Sequence, residues 1–249
     1  MTTHILTGFE ELDAVINGLN GGELVLIGGR PGMGITSFAL NLAVHIAQQE
    51  KNVLYFNFKD KAEYFDCRFL TVFARNKIKK TLPIHFYRDF YPPLESIRKT
   101  IGDFSDGIAA IIIDYLQVIE GEKRSLMLQR LKEIAKGFDA PVIVLTHLTR
   151  APENRKNKRP RLNDIRDYKD LSAVDKVLFL YRESYYLKHD MPEQRANETD
   201  EVFSDRINEW EKRLSSAEGK CEIIIAKNPS GDCGTVNLHF EEMAGFFSE

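Results

Sequence analysis

The segment 29–36 (GRPGMGIT) has the glycine and hydroxyl spacing of a phosphate-binding loop, but isoleucine stands where such a loop has lysine. In a loop of this kind the glycines let backbone N–H groups surround the phosphates. A lysine contacts the β- and γ-phosphates, and a Ser or Thr hydroxyl binds Mg²⁺. Gly29, Gly34 and Thr36 occupy the expected positions, whereas the lysine position is Ile35. The pattern predicts a phosphate-loop fold with altered chemistry.

The sequence on either side of this loop supports the same fold. An apolar run at 24–27 (LVLI) is typical of a buried strand, and 37–47 (SFALNLAVHIA) has a helical apolar pattern. A strand, a glycine-rich loop and a helix in this order are the context that a genuine P-loop requires.

Strand and helix patterns alternate along the rest of the chain, which predicts an α/β fold. Continuous apolar strands separated by helices indicate a mostly parallel, twisted sheet with helices on both faces. The last two strands are joined by a short turn and are expected to form an antiparallel hairpin at one edge. The predicted strands are 52–58, 84–86, 109–114, 141–146, 176–181, 221–226 and 234–240, and the predicted helices are 62–79, 92–101, 126–138 and 199–214.

Length and composition describe an ordinary globular protein. The 249 residues suit one large domain, 1–249, and the net charge of −3 gives no general attraction to nucleic acid or membrane. The three cysteines have no metal-binding spacing, and they are interpreted as reduced thiols. The absence of a long apolar run or a signal peptide leads us to expect a soluble cytoplasmic protein that does not contact membranes.

Two segments depart from the alternating pattern. Residues 150–170 are rich in arginine and lysine and are predicted to form a mobile surface loop. Residues 187–219 form a charged insertion with a helical pattern that includes the only tryptophan, Trp210.

Several motifs, in order along nearly the whole chain, resemble the ATPase domain of DnaB-type replicative helicases, which has a RecA-like fold. The glycine loop is similar to the phosphate loop of that family, and 111–117 (IIIDYLQ) is similar to its Walker B strand. Similar stretches occur at 7–13, 18–25, 145–150, 158–166, 178–186 and 225–228.

The resemblance implies roles for particular residues. It implies contacts to ATP or ADP, with Mg²⁺ held by Thr36 and Asp114, although the changes described next predict binding that is weakened or absent. The basic loop implies contact with the backbone of single-stranded DNA. The implied nucleotide-binding residues are Gly29, Arg30, Pro31, Gly32, Met33, Gly34, Thr36, Ser37, Asp114 and Lys227, and the implied DNA-binding residues are Arg155, Lys158, Arg159 and Arg166.

The positions that carry catalysis in the family differ in this chain. The P-loop lysine is Ile35, the glutamate that activates water is Lys59, the switch glutamine is His147, and the arginine finger is Pro229. An arginine finger alone contributes about 10³–10⁵ in rate, and a general base adds roughly 10²–10⁴. We therefore expect that ATP hydrolysis is lost.

Three questions stay open at this point. Lys59 could contact a phosphate as a displaced P-loop lysine, or it could pair with Asp114 in the space of a Mg²⁺ ion. His147 could be a simple polar residue beneath a loop. The basic loop could be a solvated surface, which is the usual fate of a charge run.

The leading hypothesis is a DnaB-like, RecA-fold protein of DNA replication that binds nucleotide or single-stranded DNA without hydrolysis, with a possible replication-protein partner. One alternative is an active ATP-dependent DNA helicase. Another is a non-enzymatic interaction module that docks through an exposed apolar stripe on the insertion, formed by Val202, Ile207, Trp210 and Leu214. The family forms hexamers, but the chain starts just before the first shared motif and lacks the family's linker helix, so a stable ring is not expected.

Overall fold

The computed structural model describes residues 3–58, 61–89, 91–121, 123–166 and 170–249. The strands are β1 His4–Ile5, β2 Leu19–Asn20, β3 Leu24–Gly29, β4 Asn52–Asn57, β5 Ile84–Arg88, β6 Ile108–Asp114, β7 Val142–His147, β8 Lys176–Tyr181, β9 Lys220–Lys227, β10 Gly234–Glu241 and β11 Phe246–Ser248. The α-helices are α1 Glu10–Ile16, α2 Ile35–Gln48, α3 Ala62–Arg75, α4 Leu94–Gly102, α5 Arg124–Phe138, α6 Glu183–His189 and α7 Asp200–Ala217. Short 3₁₀ turns occur at Leu116–Val118, Ala151–Asn154 and Leu162–Asp164.

A large mixed sheet organises the fold. Within the described residues its nine strands have the order β11-β10-β9-β8-β3-β7-β6-β4-β5, and β1 and β2 form a separate antiparallel pair. The strands from β8 to β5 are parallel, and β9, β10 and β11 extend the sheet as antiparallel neighbours. The predicted parallel sheet with an antiparallel hairpin at one edge is confirmed.

Alternate residues of the central strands enter two different cores. In β3, Val25 and Ile27 pack on one face of the sheet, while Leu24 and Leu26 pack on the other. The first core includes the apolar residues of α1 and α2, and the second includes those of α4 and α5. Because both faces are covered, the central strands are largely continuous apolar runs, which makes them recognisable in the sequence.

Some boundaries differ from the predicted ones. The helix expected over 62–79 ends at Arg75, where Lys77 adopts a positive φ of 54° and turns the chain. The pattern did not reveal α1, α6 or β11. The helix predicted over 199–214 is α7, and the hydroxyl of Thr199 accepts a hydrogen bond from the backbone N–H of Val202 at 3.4 Å. This is the usual way for a threonine to start a helix.

The helix α7 packs against α6 through one face, and the Arg213 guanidinium forms a 2.6 Å ion pair with Glu183 at the start of α6. The indole Nε1 of Trp210 donates a 2.9 Å hydrogen bond to the carbonyl oxygen of Leu187 in α6. Of the apolar stripe predicted to be exposed, only Val202 is exposed (52%), whereas Ile207, Trp210 and Leu214 are half-buried. Three of the four residues are therefore partly covered by packing, and the expectation of a fully exposed stripe is wrong, although Trp210 still lines a cleft beside α6.

The described helices contain no segment that is both long enough and apolar enough to cross a membrane.

The reactivity of the three cysteine thiols tests the burial of β9. Cys221 in β9 is fully buried, and burial raises the pKa of its thiol to about 12, whereas Cys67 and Cys233 are exposed. Because the thiolate is the nucleophile, we expect Ellman's reagent to titrate two thiols in the native protein and all three after unfolding in urea. The Cys221→Ala variant is the control, with two thiols in both states. Rapid reaction of three thiols in the native protein would contradict the burial of β9.

Candidate nucleotide site

The glycine loop between β3 and α2 has the backbone shape of a phosphate-binding loop. Gly32 and Gly34 adopt positive φ angles of 85° and 90°, a region that side chains with a Cβ rarely enter. Space is also short at Gly32, because a Cβ there would lie 2.3 Å from a carbon of the Tyr185 ring. The helix α2 starts directly after the loop, so its first backbone N–H groups are available to an anion.

Ile35 occupies the lysine position with an apolar, buried side chain. It is 7% exposed and belongs to the core on the α2 face of the sheet. Its Cγ2 lies only 2.7 Å from the place where a Cβ on Gly29 would stand, so it lies against the end of β3. The residue therefore contributes packing at the floor of the loop and no positive charge.

Arg182, which was not among the predicted site residues, holds the glycine loop by a hydrogen bond. Arg182, immediately after β8, donates a 2.8 Å hydrogen bond from Nη1 to the carbonyl oxygen of Gly32. It also forms a 2.8 Å ion pair with Glu242, and its guanidinium lies 4.6 Å from the centre of the Phe240 ring. The side chain is 5% exposed. This clasp joins the glycine loop to the β10–β11 turn.

The clasp predicts a pH-dependent contribution to stability. The hydrogen bond from Arg182 holds the pKa of Glu242 below its usual value of 4.5. The unfolded chain therefore binds this proton first as the pH falls, so the stabilisation is complete above about pH 4.5 and is lost as the pH drops through the folded pKa. We expect Glu242→Gln to lower the free energy of unfolding modestly at pH 7, by at most about 1 kcal/mol because the carboxylate is half exposed.

Urea titrations of the wild type and Glu242→Gln at several pH values measure this effect. The difference between the two proteins should disappear when both are compared below the folded pKa. A difference that stays constant across this range would show that the carboxylate charge is not what holds the clasp.

Arg30 in the glycine loop is engaged with the start of the basic loop. Its Nε and Nη2 contact a carboxylate oxygen of Glu153 at 2.8 and 2.7 Å, and its Nη1 donates to the carbonyl oxygen of Leu148 at 2.9 Å. The phosphate loop and the 150–166 segment are thus joined by a charged contact, which the sequence pattern did not indicate.

An open cleft of about 430 Å³ lies over the glycine loop. Its floor is formed by the loop and the first turn of α2, including the hydroxyl-bearing residues Thr36 and Ser37. One wall comes from α3 and another from the β10–β11 turn. Its cationic lining residues are Arg30, Arg68 and Arg182. Arg68 on α3 is a further group that sequence reasoning missed, since helical spacing alone does not show which face meets the cleft.

His147 is the last residue of β7, and Asp114 is the last residue of β6. His147 in β7 is in register with Gly29 in the neighbouring strand β3, and His147 also lines the cleft. Its ring packs edge-to-face against Tyr115 at 4.5 Å between centroids. The backbone N–H of His147 donates to Oε1 of Gln117 at 3.3 Å. This bond supports the strand end without using the imidazole.

Asp114 is buried at the end of β6. It is 1% exposed, and its Oδ2 lies 3.4 Å from the hydroxyl oxygen of Tyr55. Asp114 does not line the cleft, whereas Thr36 does. Lys59, which was predicted to contact a phosphate or Asp114, lies outside the described residues, so both alternatives stay open.

Lys227 and Pro229 lie away from the phosphate loop of their own chain. In the sheet, Lys227 at the end of β9 pairs with Val177 near the start of β8. Val177 in turn pairs with Leu26 of β3, which is three residues before the end of that strand. The ammonium group of Lys227 donates to the carbonyl oxygens of Leu171 and Val174 at 2.8 and 2.5 Å. Lys227 therefore lies toward the opposite edge of the sheet from the phosphate loop.

The predicted DNA-binding residues of the basic loop are tied to acidic partners. Arg155 forms two hydrogen bonds with the buried carboxylate of Asp164, at 3.0 and 2.6 Å. Arg159 makes a similar fork with Glu222 in β9, and the Lys158 ammonium is 2.5 Å from Asp190. Arg166 is exposed at the end of the described segment. The loop is thus anchored by ion pairs and is not an unsupported basic run.

The strand order and the glycine loop define a class of protein. A parallel sheet with a phosphate loop between β3 and α2, extended by antiparallel strands, is the RecA-like ATPase fold found in helicases. The chain belongs to the family of the DnaB-like helicase C terminal domain, whose model matches residues 4–89 and 93–249.

Relatives with known names agree with this assignment. The replicative DNA helicase DnaB of Rickettsia bellii is 31% identical, over 98% of this chain and 57% of that protein. The replicative DNA helicase DnaB of Helicobacter pylori is 32% identical, over 96% of this chain and 58% of that protein. The chain therefore spans a little over half the length of these curated relatives.

A solved structure gives the same result in three dimensions. It is described as a DnaB-like replicative helicase and its interactions with primase, and it superposes with a TM-score of 0.78 at 26% identity. The match covers 99% of this chain and 62% of that one. The predicted family and the RecA-like fold are confirmed.

Proposed function

We propose that this DnaB-like helicase domain is a non-hydrolysing member that binds nucleotide weakly and acts on single-stranded DNA during replication. The observation that carries the proposal is the side chain at the lysine position. Ile35 is buried against the end of β3 and supplies no charge to the β- and γ-phosphates. Phosphoryl transfer is catalysed mainly by positioning and charge stabilisation, so a site without this charge loses much of its catalytic power.

Two further replacements support the loss of hydrolysis. Family members use a glutamate to activate water and an arginine finger from the adjacent subunit, and this chain has Lys59 and Pro229 at those positions. A lysine ammonium cannot accept a proton from water, and proline has no charged group to stabilise the transition state. The three changes affect separate parts of the reaction, so restoring one does not restore turnover.

Binding of a phosphate group is still supported by the geometry. The glycine loop keeps its positive φ angles, and the start of α2 presents backbone N–H groups with the Thr36 and Ser37 hydroxyls beside them. Arg68 and Arg182 also line the cleft. We infer that ATP and ADP bind here with reduced affinity, because these arginines supply positive charge near the place that the lysine has lost.

The fit of Mg²⁺ to this site is incomplete. Only Thr36 of the two expected ligands lines the cleft, since Asp114 is buried and is not among its lining residues. Within the described residues no group of three or more acidic, cysteine or histidine side chains is arranged to hold a metal. We therefore assign no step to Mg²⁺ and expect nucleotide binding to depend little on it.

Calorimetry with ATP and ADP, with and without Mg²⁺, tests the nucleotide part of the proposal. We expect weak binding of both nucleotides and a rate of ATP hydrolysis that single-stranded DNA does not raise. DNA-stimulated hydrolysis at a rate typical of an enzyme, roughly 1 s⁻¹ or more, would overturn the proposal in favour of an active helicase.

The wider context is also a proposal. We propose that residues 1–249 fold as one domain in the cytoplasm and that a replication protein is its partner. The solved relative that is described with primase supports a partner of this kind. Sedimentation of the purified chain tests its assembly, and we expect no stable hexamer.

A further inference from the structure

A second cleft separates the basic loop from the insertion. It has a volume of about 650 Å³, which is within the range of small-molecule sites. Residues 156–159 of the loop form one wall, and α6 and α7 form the other. We call it the loop–insertion cleft. It lies beyond β8, and the residues that line the nucleotide cleft do not line it.

Aromatic rings lie beside cations in this cleft, and the carboxylates of Glu183, Asp190 and Glu209 also line it. The Lys158 ammonium is 4.8 Å from the centre of the Tyr186 ring, and the Arg159 guanidinium is 4.7 Å from that of Tyr181. The two tyrosine rings are stacked, with 5.8 Å between centroids and 25° between planes. Trp210 lines the opposite wall. Flat rings beside cations are the usual surface for the bases and phosphates of a single strand.

Three cations of the cleft, Lys156, Lys158 and Arg213, are available to a polyanion at little cost, whereas Arg159 and Arg206 are held by Glu222 and Glu198. Lys156 is exposed and forms no ion pair with a described residue. Lys158 and Arg213 are paired with Asp190 and Glu183, but in each pair one partner is more than half exposed. Exposed ion pairs contribute little to stability, so a phosphate oxygen can replace the carboxylate.

We propose that the loop–insertion cleft binds a short stretch of single-stranded nucleic acid, with bases stacked at Tyr186 and Trp210 and phosphates at Lys156, Lys158 and Arg213. This inference deepens the proposed function, because it rests on the action of the chain on single-stranded DNA. In this arrangement Trp210 and Arg213 of the insertion form part of the binding surface. Stacking requires aromatic ligands, which an acidic peptide supplies only sparsely, and this favours nucleic acid.

The fluorescence of Trp210 reports directly on the cleft, because the chain has no other tryptophan. We expect an oligothymidylate of about 12 nucleotides, within the usual site size, to quench this fluorescence at low salt. A polyglutamate peptide of matched charge should leave the fluorescence unchanged. Equal quenching by the peptide would overturn the assignment to nucleic acid.

Two sets of variants separate the contributions, with binding measured by anisotropy of a labelled oligonucleotide. Trp210→Ala should weaken binding roughly tenfold, as expected for one lost stacking contact, whereas Trp210→Phe should remain close to wild type. Lys156→Gln combined with Lys158→Gln should reduce the slope of log affinity against log salt by about 1.4, the value for two single-strand phosphates. Lys77→Gln with Lys79→Gln, two exposed lysines at the far edge of the sheet, is the matched control.

The outcomes distinguish this inference from the proposed function. Full binding of the labelled oligonucleotide without quenching, and with no effect of the lysine substitutions, would place the DNA elsewhere and overturn the cleft alone. No binding of the oligonucleotide at low salt would overturn both the cleft and the DNA part of the proposed function. The calorimetric test of ATP binding is independent of either result.

Discussion

Ile35→Lys is expected to increase the affinity for ATP by roughly 10–100-fold, because a hydrogen bond between charged groups contributes about 1.5–3 kcal/mol. Position 35 lines the nucleotide cleft, so a lysine stem can lie along the apolar floor while its ammonium group reaches the phosphates. Turnover should nevertheless stay at background, since Lys59 and Pro229 remain at the positions of the catalytic groups. Isothermal titration calorimetry and a phosphate-release assay measure the two effects separately.

Ile35→Met is the matched control for this substitution, because it has similar length and no charge. It should bind ATP as the wild type does. A large increase in hydrolysis in Ile35→Lys would show that the remaining replacements do not prevent catalysis. No gain in affinity would instead indicate that the space for the phosphates is closed, as an ion pair between Lys59 and Asp114 would cause.

Glu23→Leu is expected to give the largest loss of stability, about 3–5 kcal/mol in the free energy of unfolding. The Lys176 side chain is 0% exposed, and its ammonium group lies 2.6 Å from Oε1 of Glu23. Asn20 also donates to this carboxylate from its backbone N–H and its side-chain amide, at 3.0 and 3.1 Å. Removing the carboxylate leaves a buried ammonium without its counter-ion. In thermal unfolding the midpoint should fall by roughly 6–20 °C.

The double variant Glu23→Leu with Lys176→Met tests the cause of this loss. Replacing both charged groups by apolar side chains removes the uncompensated charge, so stability should return to within about 2 kcal/mol of the wild type. The coupling energy from the four proteins isolates the pair from the separate effects of each substitution. A double variant as unstable as Glu23→Leu alone would show that packing, and not charge, explains the effect.

We propose that this domain has a nucleotide site without catalytic activity and a separate surface, the loop–insertion cleft, for single-stranded DNA. The Arg30–Glu153 contact links the two, because it joins the phosphate loop to the start of the basic segment. The insertion supplies Trp210 and Arg213 to the loop–insertion cleft, which is separate from the nucleotide cleft. A domain that holds DNA without consuming ATP is the simplest outcome of these changes.

The core of the fold could be predicted because it depends on local patterns. The central strands are apolar on both faces, and the glycines of the phosphate loop mark one particular strand-to-helix turn, so β3, α2, β6, β7 and β8 were all recognised. The helix α6 was missed because its short pattern follows a strand without a clear break. The end of α3 was missed because the positive φ at Lys77 has no signature in a lysine residue.

The family could be recognised from the resemblance of motifs along the chain, and isoleucine at 35 and proline at 229 have no charge in any fold. The partners of the charged side chains, in contrast, depend on the tertiary fold. The contacts Arg30–Glu153, Arg159–Glu222 and Arg182–Gly32 join residues separated by 123, 63 and 150 positions. Strand order brings these residues together, and no local pattern encodes which strands become neighbours.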